Sequence, residues 1–484
     1  GWLHEAMARW PGSSRFVGSA ESVGRALLIG GDAAEAAIWF DRVARGAGTT
    51  GRRNAFLAAL SRWRAGETDA AVAAFTSLLS TRGVYDVEAH YWRARALEAS
   101  DPAQAQADRE WVLREQPESW YSLLLRSTTP ALPRDARDGL WPARRSPTSW
   151  SITPIEPSLT PLVRSPLPRR YTPAWQLEAT SRKLPTAAQT VGYPEGPFFR
   201  AETARAVMLR FAERWGDRWP DLHAAADLSR TGLYDLAGPL FSATYSSIRA
   251  ASYRGDRGAR AAASELDAAE RLPMFLFVRD HHHTAKDTIG LASSVTDPAD
   301  HLATSQLAMP VAYPGPVWNA ARTAGIDPWL ALSIMRAESV YDANAVSRAG
   351  ARGPMQILPR TGYLLAALDD DAHFTARSLH APLTAVSMGI RYLGLLADRF
   401  EAVTPLAVAS YNAGPHNVAA WMEGMGAGTP LDLFAEAIPF VETRNYVRKV
   451  MLNYDRYIQL YGDSSDRVVL PPAVAGDHPG IVDF

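Results

Sequence analysis

A chain of 484 residues is too long for one ordinary hydrophobic core and, at roughly 150 residues per domain, suggests about three units. Its 47% apolar and 21% charged content is globular and excludes wholesale disorder. With 50 basic and 51 acidic residues the net charge is −1, so no nucleic-acid partner is expected, and zero cysteines exclude disulfides, thiolate metal sites and cysteine nucleophiles.

The first stretch carries a repeat. Gly31-Asp32 leads to Ala36 and Phe40, Gly66-Glu67 leads to Ala71 and Phe75, and Ser100-Asp101-Pro102 leads to Ala105. The offsets are 35 and 34 residues, and Trp63 and Leu97 stand at matching places before the turns. Small residues, an aromatic and a turn at this period predict stacked helical hairpins of the tetratricopeptide type over residues 1–127. Generic helical packing is the plainer alternative. Residues 128–198 change texture: ten of the 34 prolines fall between Pro130 and Pro173, and nine basic residues face five acidic ones. Proline blocks helix continuation, so this reads as an extended basic connector, with Trp141, Trp150 and Trp175 available to pack on a neighbouring surface. Helical pattern resumes near residue 199 through Val207, Leu209, Phe211 and Trp215, and continues around Gly232 and Gly238. His281-His282-His283 is a poor metal motif, because three consecutive side chains on a helix point apart. No metal and no cofactor are expected. No apolar run approaches the ~18 residues of a membrane span.

Chemistry concentrates farther on. Asp327-Pro328 predicts a helix start, with Asp capping free N–H groups and Pro in the first turn. Leu330, Ile334 and Glu338 then share one helical stripe. A carboxylate on an apolar stripe is disfavoured as an anion, which would raise its pKa toward that of a general acid. A helix-end glutamate with its head in water is the alternative. After Glu338-Ser339 come Ser347, Gly350 and Gly353-Pro354-Met355-Gln356-Ile357-Leu358-Pro359, an irregular loop whose glycines allow close approach of backbone to a ligand. Two further blocks follow: Ala409-Ser410-Tyr411-Asn412-Ala413-Gly414-Pro415, and Pro439-Phe440-Val441-Glu442-Thr443-Arg444-Asn445-Tyr446-Val447.

These four blocks, in order across about 120 residues, resemble the goose-lysozyme-like catalytic domain of lytic transglycosylases, and the chain as a whole resembles the soluble lytic murein transglycosylases. The resemblance implies a mainly α fold: an N-terminal α-superhelical, TPR-like ring or U-shaped domain, followed by a lysozyme-like α domain with minor β. The expected division is 1–127 superhelix, 128–198 connector, 199–305 helical linker domain, 306–469 catalytic domain and 470–484 tail. The resemblance also implies cleavage of the β-1,4 bond between N-acetylmuramic acid and N-acetylglucosamine, leaving a 1,6-anhydromuramoyl end. Glu338 is carried over as acid and then base. Ser347, Met355 and Gln356 are carried over to the cleft beside it, Tyr411 and Asn412 to orienting the acid or the N-acetyl group, Ala413 and Gly414 to a low wall, and Glu442 and Tyr446 to hydrogen bonds with sugar or supporting groups. For three of these a structural role competes: Met355 as core filler, Asn412 as a helix cap, and Glu442 paired with Arg444 or Arg448. The loop departs from the family pattern at Pro354 and Leu358.

The expected partners are peptidoglycan glycan strands and other cell-wall enzymes, with the protein a monomer in the periplasm or cell wall and any export signal outside this chain. A lysozyme-type muramidase, which differs only in what captures the cation, and a non-catalytic helical-repeat scaffold are the alternatives.

Overall fold

The computed structural model describes residues 14–44, 48–128, 201–231, 233–266, 308–401, 403–461 and 467–474, with Glu5, Arg9 and Ser305 as isolated positions. The proline-rich stretch beyond Thr128, its three tryptophans, the histidine triplet and residues 475–484 lie outside the described residues. The described chain is mainly helical; among these residues the only β pairing is in isolated bridges, Val346 with Arg352, Arg352 with Ile357, and Pro430 with Ala473.

Contacts divide the chain into two units that interleave along the sequence. The first contains the N-terminal helices together with Tyr392–Gln459 and the last described residues. It opens with α1 (Ser14–Ile29), α2 (Ala33–Ala44), α3 (Gly48–Arg64), α4 (Thr68–Leu79), α5 (Asp86–Leu97), α6 (Pro102–Glu115) and α7 (Trp120–Thr128). Consecutive helices up to α7 pack on one another, and the repeat is visible in their turns. Gly31 and Gly66 take left-handed φ of 89° and 81°, and the residues after them donate backwards, Asp32 N to Leu27 O and Glu67 N to Arg62 O. That is the glycine-terminated helix end in which the next N–H satisfies an orphan carbonyl. The third turn has no glycine; Asp101 caps α6 instead, accepting from Gln104 N at 3.0 Å with Pro102 in the first turn. Ala36, Ala71 and Ala105, five residues after each turn, are all completely buried. A methyl side chain there lets neighbouring helices approach closely. Phe40 and Phe75 are also completely buried, whereas the corresponding third position is Arg109, half-buried and paired with Glu98.

The other unit contains Pro142–Arg391 and Leu460–Ser464, of which residues 201–391 and 460–461 include the described part. Helices α8 (Ala201–Trp215), α9 (Asp221–Arg230), α10 (Tyr234–Tyr253) and α11 (Arg257–Glu265) share a core of Met208, Phe211, Leu222, Phe241, Ile248 and Leu266. Next come α12 (Pro314–Ala324), α13 (Pro328–Ser339), α14 (Pro359–Leu368), a short 3-10 helix (Ala376–His380) and α15 (Pro382–Arg399), within which the chain passes to the first unit. That unit then receives α16 (Thr404–Ala413), α17 (Pro415–Met425), α18 (Leu431–Ala437) and most of α19 (Val441–Tyr461). None of these helices is long and apolar enough to cross a membrane.

Candidate active site

Glu338 sits in the last turn of α13, and that helix is fixed at both ends. Asp327 accepts from Trp329 N at 2.8 Å, as the Asp-Pro start predicts. Trp329 stacks on Tyr461 at 5.5 Å and meets Trp318 edge-on at 5.1 Å, while the Tyr461 hydroxyl donates to Met309 O. Along the stripe Leu330 is 6% exposed and Ile334 is completely buried, so half-buried Glu338 continues a line of core positions.

Just past the glutamate the backbone turns in a way the sequence does not announce. Val340 and Tyr341 take φ of 53° and 67°, left-handed values unusual for a β-branched and an aromatic residue. Val340 N returns to Arg336 O, and Tyr341 is 1% exposed with its carbonyl accepting from the Tyr313 hydroxyl at 2.9 Å. Tyr313 (φ 48°) and Gln356 (φ 48°) are left-handed too. Each such residue costs on the order of 1–3 kcal/mol, and such strain concentrates at functional sites. Ser339 ties the helix end to the loop, its hydroxyl donating to Pro354 O at 2.8 Å.

The loop is held by its own polar groups. Ser347 Oγ accepts from Ala351 N at 3.1 Å, and Gln356 Nε2 donates to Gly353 O at 2.9 Å and Ala345 O at 3.2 Å. Both side chains are half-buried. Gly353 is required by close packing: with φ 72°, a Cβ there would lie 1.8 Å from Leu379 O. The close approach expected of this glycine is therefore made to the protein's own backbone. Met355 is completely buried, and a Cβ on Gly389 would reach 2.6 Å from its Cβ. Leu358 is 43% exposed, and Asp369, Asp370 and Asp371 form a solvated turn.

Tyr411, Asn412, Ala413 and Gly414, all half-buried, end α16 in the other unit. Gly414 (φ 83°, ψ 145°) donates to Ser410 O, and Pro415 begins α17. Tyr411 packs at 5.4 Å on Tyr392, whose hydroxyl is pushed up to about 12 by burial. Asn412 Oδ1 accepts from Thr443 Oγ1 at 2.6 Å, which joins this block to the first turn of α19. In that turn Glu442 is exposed, and Tyr446 one turn later is 8% exposed. The two arginines considered as structural partners of Glu442 bind elsewhere: Arg444 donates to Ile438 O and Arg448 pairs with Glu436. Glu338, Ser347, Met355 and Gln356 thus belong to one unit, and the remaining candidate residues to the other. Thr443, Ser339 and the Val340-Tyr341 turn are additions. Thr443 stood within the quoted block, but nothing in the sequence pointed to Asn412 as its partner.

The comparisons bear on this stretch. Residues 316–430 match the family model described as transglycosylase SLT domain. A Haemophilus influenzae relative, provisionally named a soluble lytic murein transglycosylase, is 36% identical over 170 residues, covering 35% of this chain and 28% of its own length. The soluble lytic murein transglycosylase of Salmonella typhimurium is 33% identical over 159 residues, 33% of this chain and 24% of its own. The matches to these relatives thus span about a quarter of their length. A solved structure of an inactive mutant of the lytic transglycosylase Slt from Pseudomonas aeruginosa aligns with 96% of this chain and 59% of its own, at 18% identity and a TM-score of 0.53. That likeness extends the shared fold beyond residues 316–430, to the helical region before them.

Proposed function

We propose that the protein is a peptidoglycan lytic transglycosylase, cleaving the β-1,4 bond between N-acetylmuramic acid and N-acetylglucosamine with formation of a 1,6-anhydromuramoyl end. The observation that carries the reading is the SLT match over 316–430, with Glu338 inside it, half-buried at the end of a stripe of core residues. Glu338 protonates the glycosidic oxygen as the bond to C1 breaks. It then takes the proton of the muramoyl C6 hydroxyl as that oxygen closes onto C1. The proton count balances without water, and one carboxylate suffices because an intramolecular hydroxyl is present at very high effective concentration.

Gln356 and Ser347 support the cleft by locking the loop after Glu338, and completely buried Met355 anchors that loop against Gly389. Tyr411, Asn412, Ala413 and Gly414 at the end of α16 are the proposed sugar-binding residues, and Asn412 accepts from Thr443. Exposed Glu442 and buried Tyr446 complete the set on α19. Glycan strands of peptidoglycan are the substrate, the periplasm or cell wall the place of action, and other cell-wall enzymes the expected partners. The test is product analysis: purified sacculi are digested and the fragments treated with borohydride. Anhydro ends resist reduction, as expected here; reducible ends would instead assign a hydrolytic muramidase, and no soluble fragments at all would leave a helical scaffold.

A further inference from the structure

The helical repeat and the segment just past the SLT match share one contact cluster, and its chemistry is unusual. All seven residues of α18 (Leu431–Ala437) are buried, and two of them are acids, Asp432 at 6% and Glu436 at 3% exposed. A buried carboxylate is costly without partners. Both acids find partners in the repeat, more than 300 residues away in sequence. Asp432 accepts from the Tyr91 hydroxyl of α5 at 2.8 Å, and Arg95 Nε of the same helix lies 3.0 Å from it. Glu436 accepts from the Tyr121 hydroxyl of α7 at 2.5 Å, and Arg25 of α1 donates to its backbone carbonyl at 3.1 Å. Arg448 of α19 closes the cluster by pairing with Glu436 while standing over the Tyr121 ring. Burial, reinforced by the adjacent carboxylates, raises both tyrosine hydroxyls well above their ordinary range, so they stay donors.

The cluster ends at the candidate site. Glu442 lies six positions after Glu436, and Arg444 holds the turn between α18 and α19 through Ile438 O. The next bond outward is Thr443 to Asn412. We infer that Glu436 and Asp432 are positioning residues for the reaction proposed above, and that through Tyr121, Tyr91 and Arg25 the helical repeat sets the first turn of α19 and with it the Thr443–Asn412 bond. On this reading the repeat supports the α19 residues of the proposed site.

The test compares full-length Tyr121→Phe, Tyr91→Phe and the double variant with the parent, each change removing only a hydroxyl. Expected is a fall in kcat on sacculi of roughly tenfold for Tyr121→Phe, as for loss of one hydrogen bond to a charged group, with KM little changed. Asp108→Asn is the control, because it breaks a buried ion pair of the repeat without touching α18; it should lower the unfolding midpoint and leave kcat at the parental value. Thr443→Val added to Tyr121→Phe should cost less than the product of the two single effects, since both act on one bond. Parental kcat in the double tyrosine variant, or an equal fall in kcat in Asp108→Asn, would overturn the inference. A readout independent of activity keeps it separate from the reading it rests on: the amides of Ile438 and of 440–446 should exchange faster in Tyr121→Phe. Unchanged exchange there would overturn the positioning role even in an active enzyme. An inactive parent with faster exchange would instead overturn the proposed reaction.

Discussion

Asp108 and Glu88 are two carboxylates of the repeat with opposite fates. Asp108 is 2% exposed; burial alone would raise its pKa, but Arg93 with bonds of 2.7 and 2.8 Å and His90 at 2.7 Å hold it below the usual carboxylate range. A depressed folded-state pKa contributes stability that is present at neutral pH and is lost as pH falls through that value. Asp108→Asn should therefore cost on the order of 3 kcal/mol at neutral pH, and urea unfolding should show the difference shrinking in acid. Half-buried Glu88 has its pKa raised, chiefly by burial and further by Glu436. Here the folded chain binds the proton more tightly, so the contribution favours folding only at low pH and turns against it as pH rises through the raised value. Glu88→Gln should accordingly stabilise the protein near neutrality and be neutral in acid. A Glu88→Gln midpoint lower than the parent's at neutral pH would contradict the assignment.

Among the elements, the loop after α13 carries the strictest geometric demand. Gly353→Ala places a methyl 1.8 Å from the Leu379 carbonyl at a left-handed φ, so backbone must move. The expected cost is roughly 4 kcal/mol, read from thermal unfolding. Gly350, with φ 83° and no atom within reach of a Cβ, should lose only about 1 kcal/mol on the same change. Equal costs at the two sites would mean that packing on Leu379 is not what requires Gly353. The elements also mark where the sequence was readable. Asp327-Pro328 announced the start of α13 because capping is local chemistry, and the turns at Gly31 and Gly66 announced themselves for the same reason. Val340-Tyr341 did not. Neither residue favours a left-handed backbone, and what holds Tyr341 there is burial and the Tyr313 hydroxyl, a contact across 28 residues.

At the scale of the molecule, periodic features were legible and long-range pairings were not. The repeat shows in sequence because Ala36, Ala71 and Ala105 meet the same local need at the same offset. The four blocks from Glu338 to Tyr446 show because each is a short run of specific chemistry. Nothing local in Tyr91 or Tyr121 indicates that its hydroxyl meets an acid of α18, nor in Gly424 that Ile29 lies where its Cβ would be. The length now reads differently: the N-terminal helices close on the C-terminal ones through buried ionic and aromatic contacts and through rim pairs such as Arg126–Asp455 and Arg456–Glu118. Whether Glu338 moves the proton in glycan cleavage is decided by digesting purified sacculi with Glu338→Gln beside the parent. The parent should release anhydro-ended fragments, and the variant, folded to the parental midpoint, should be slower by at least about a hundredfold; release at the parental rate would rule out Glu338 as the acid.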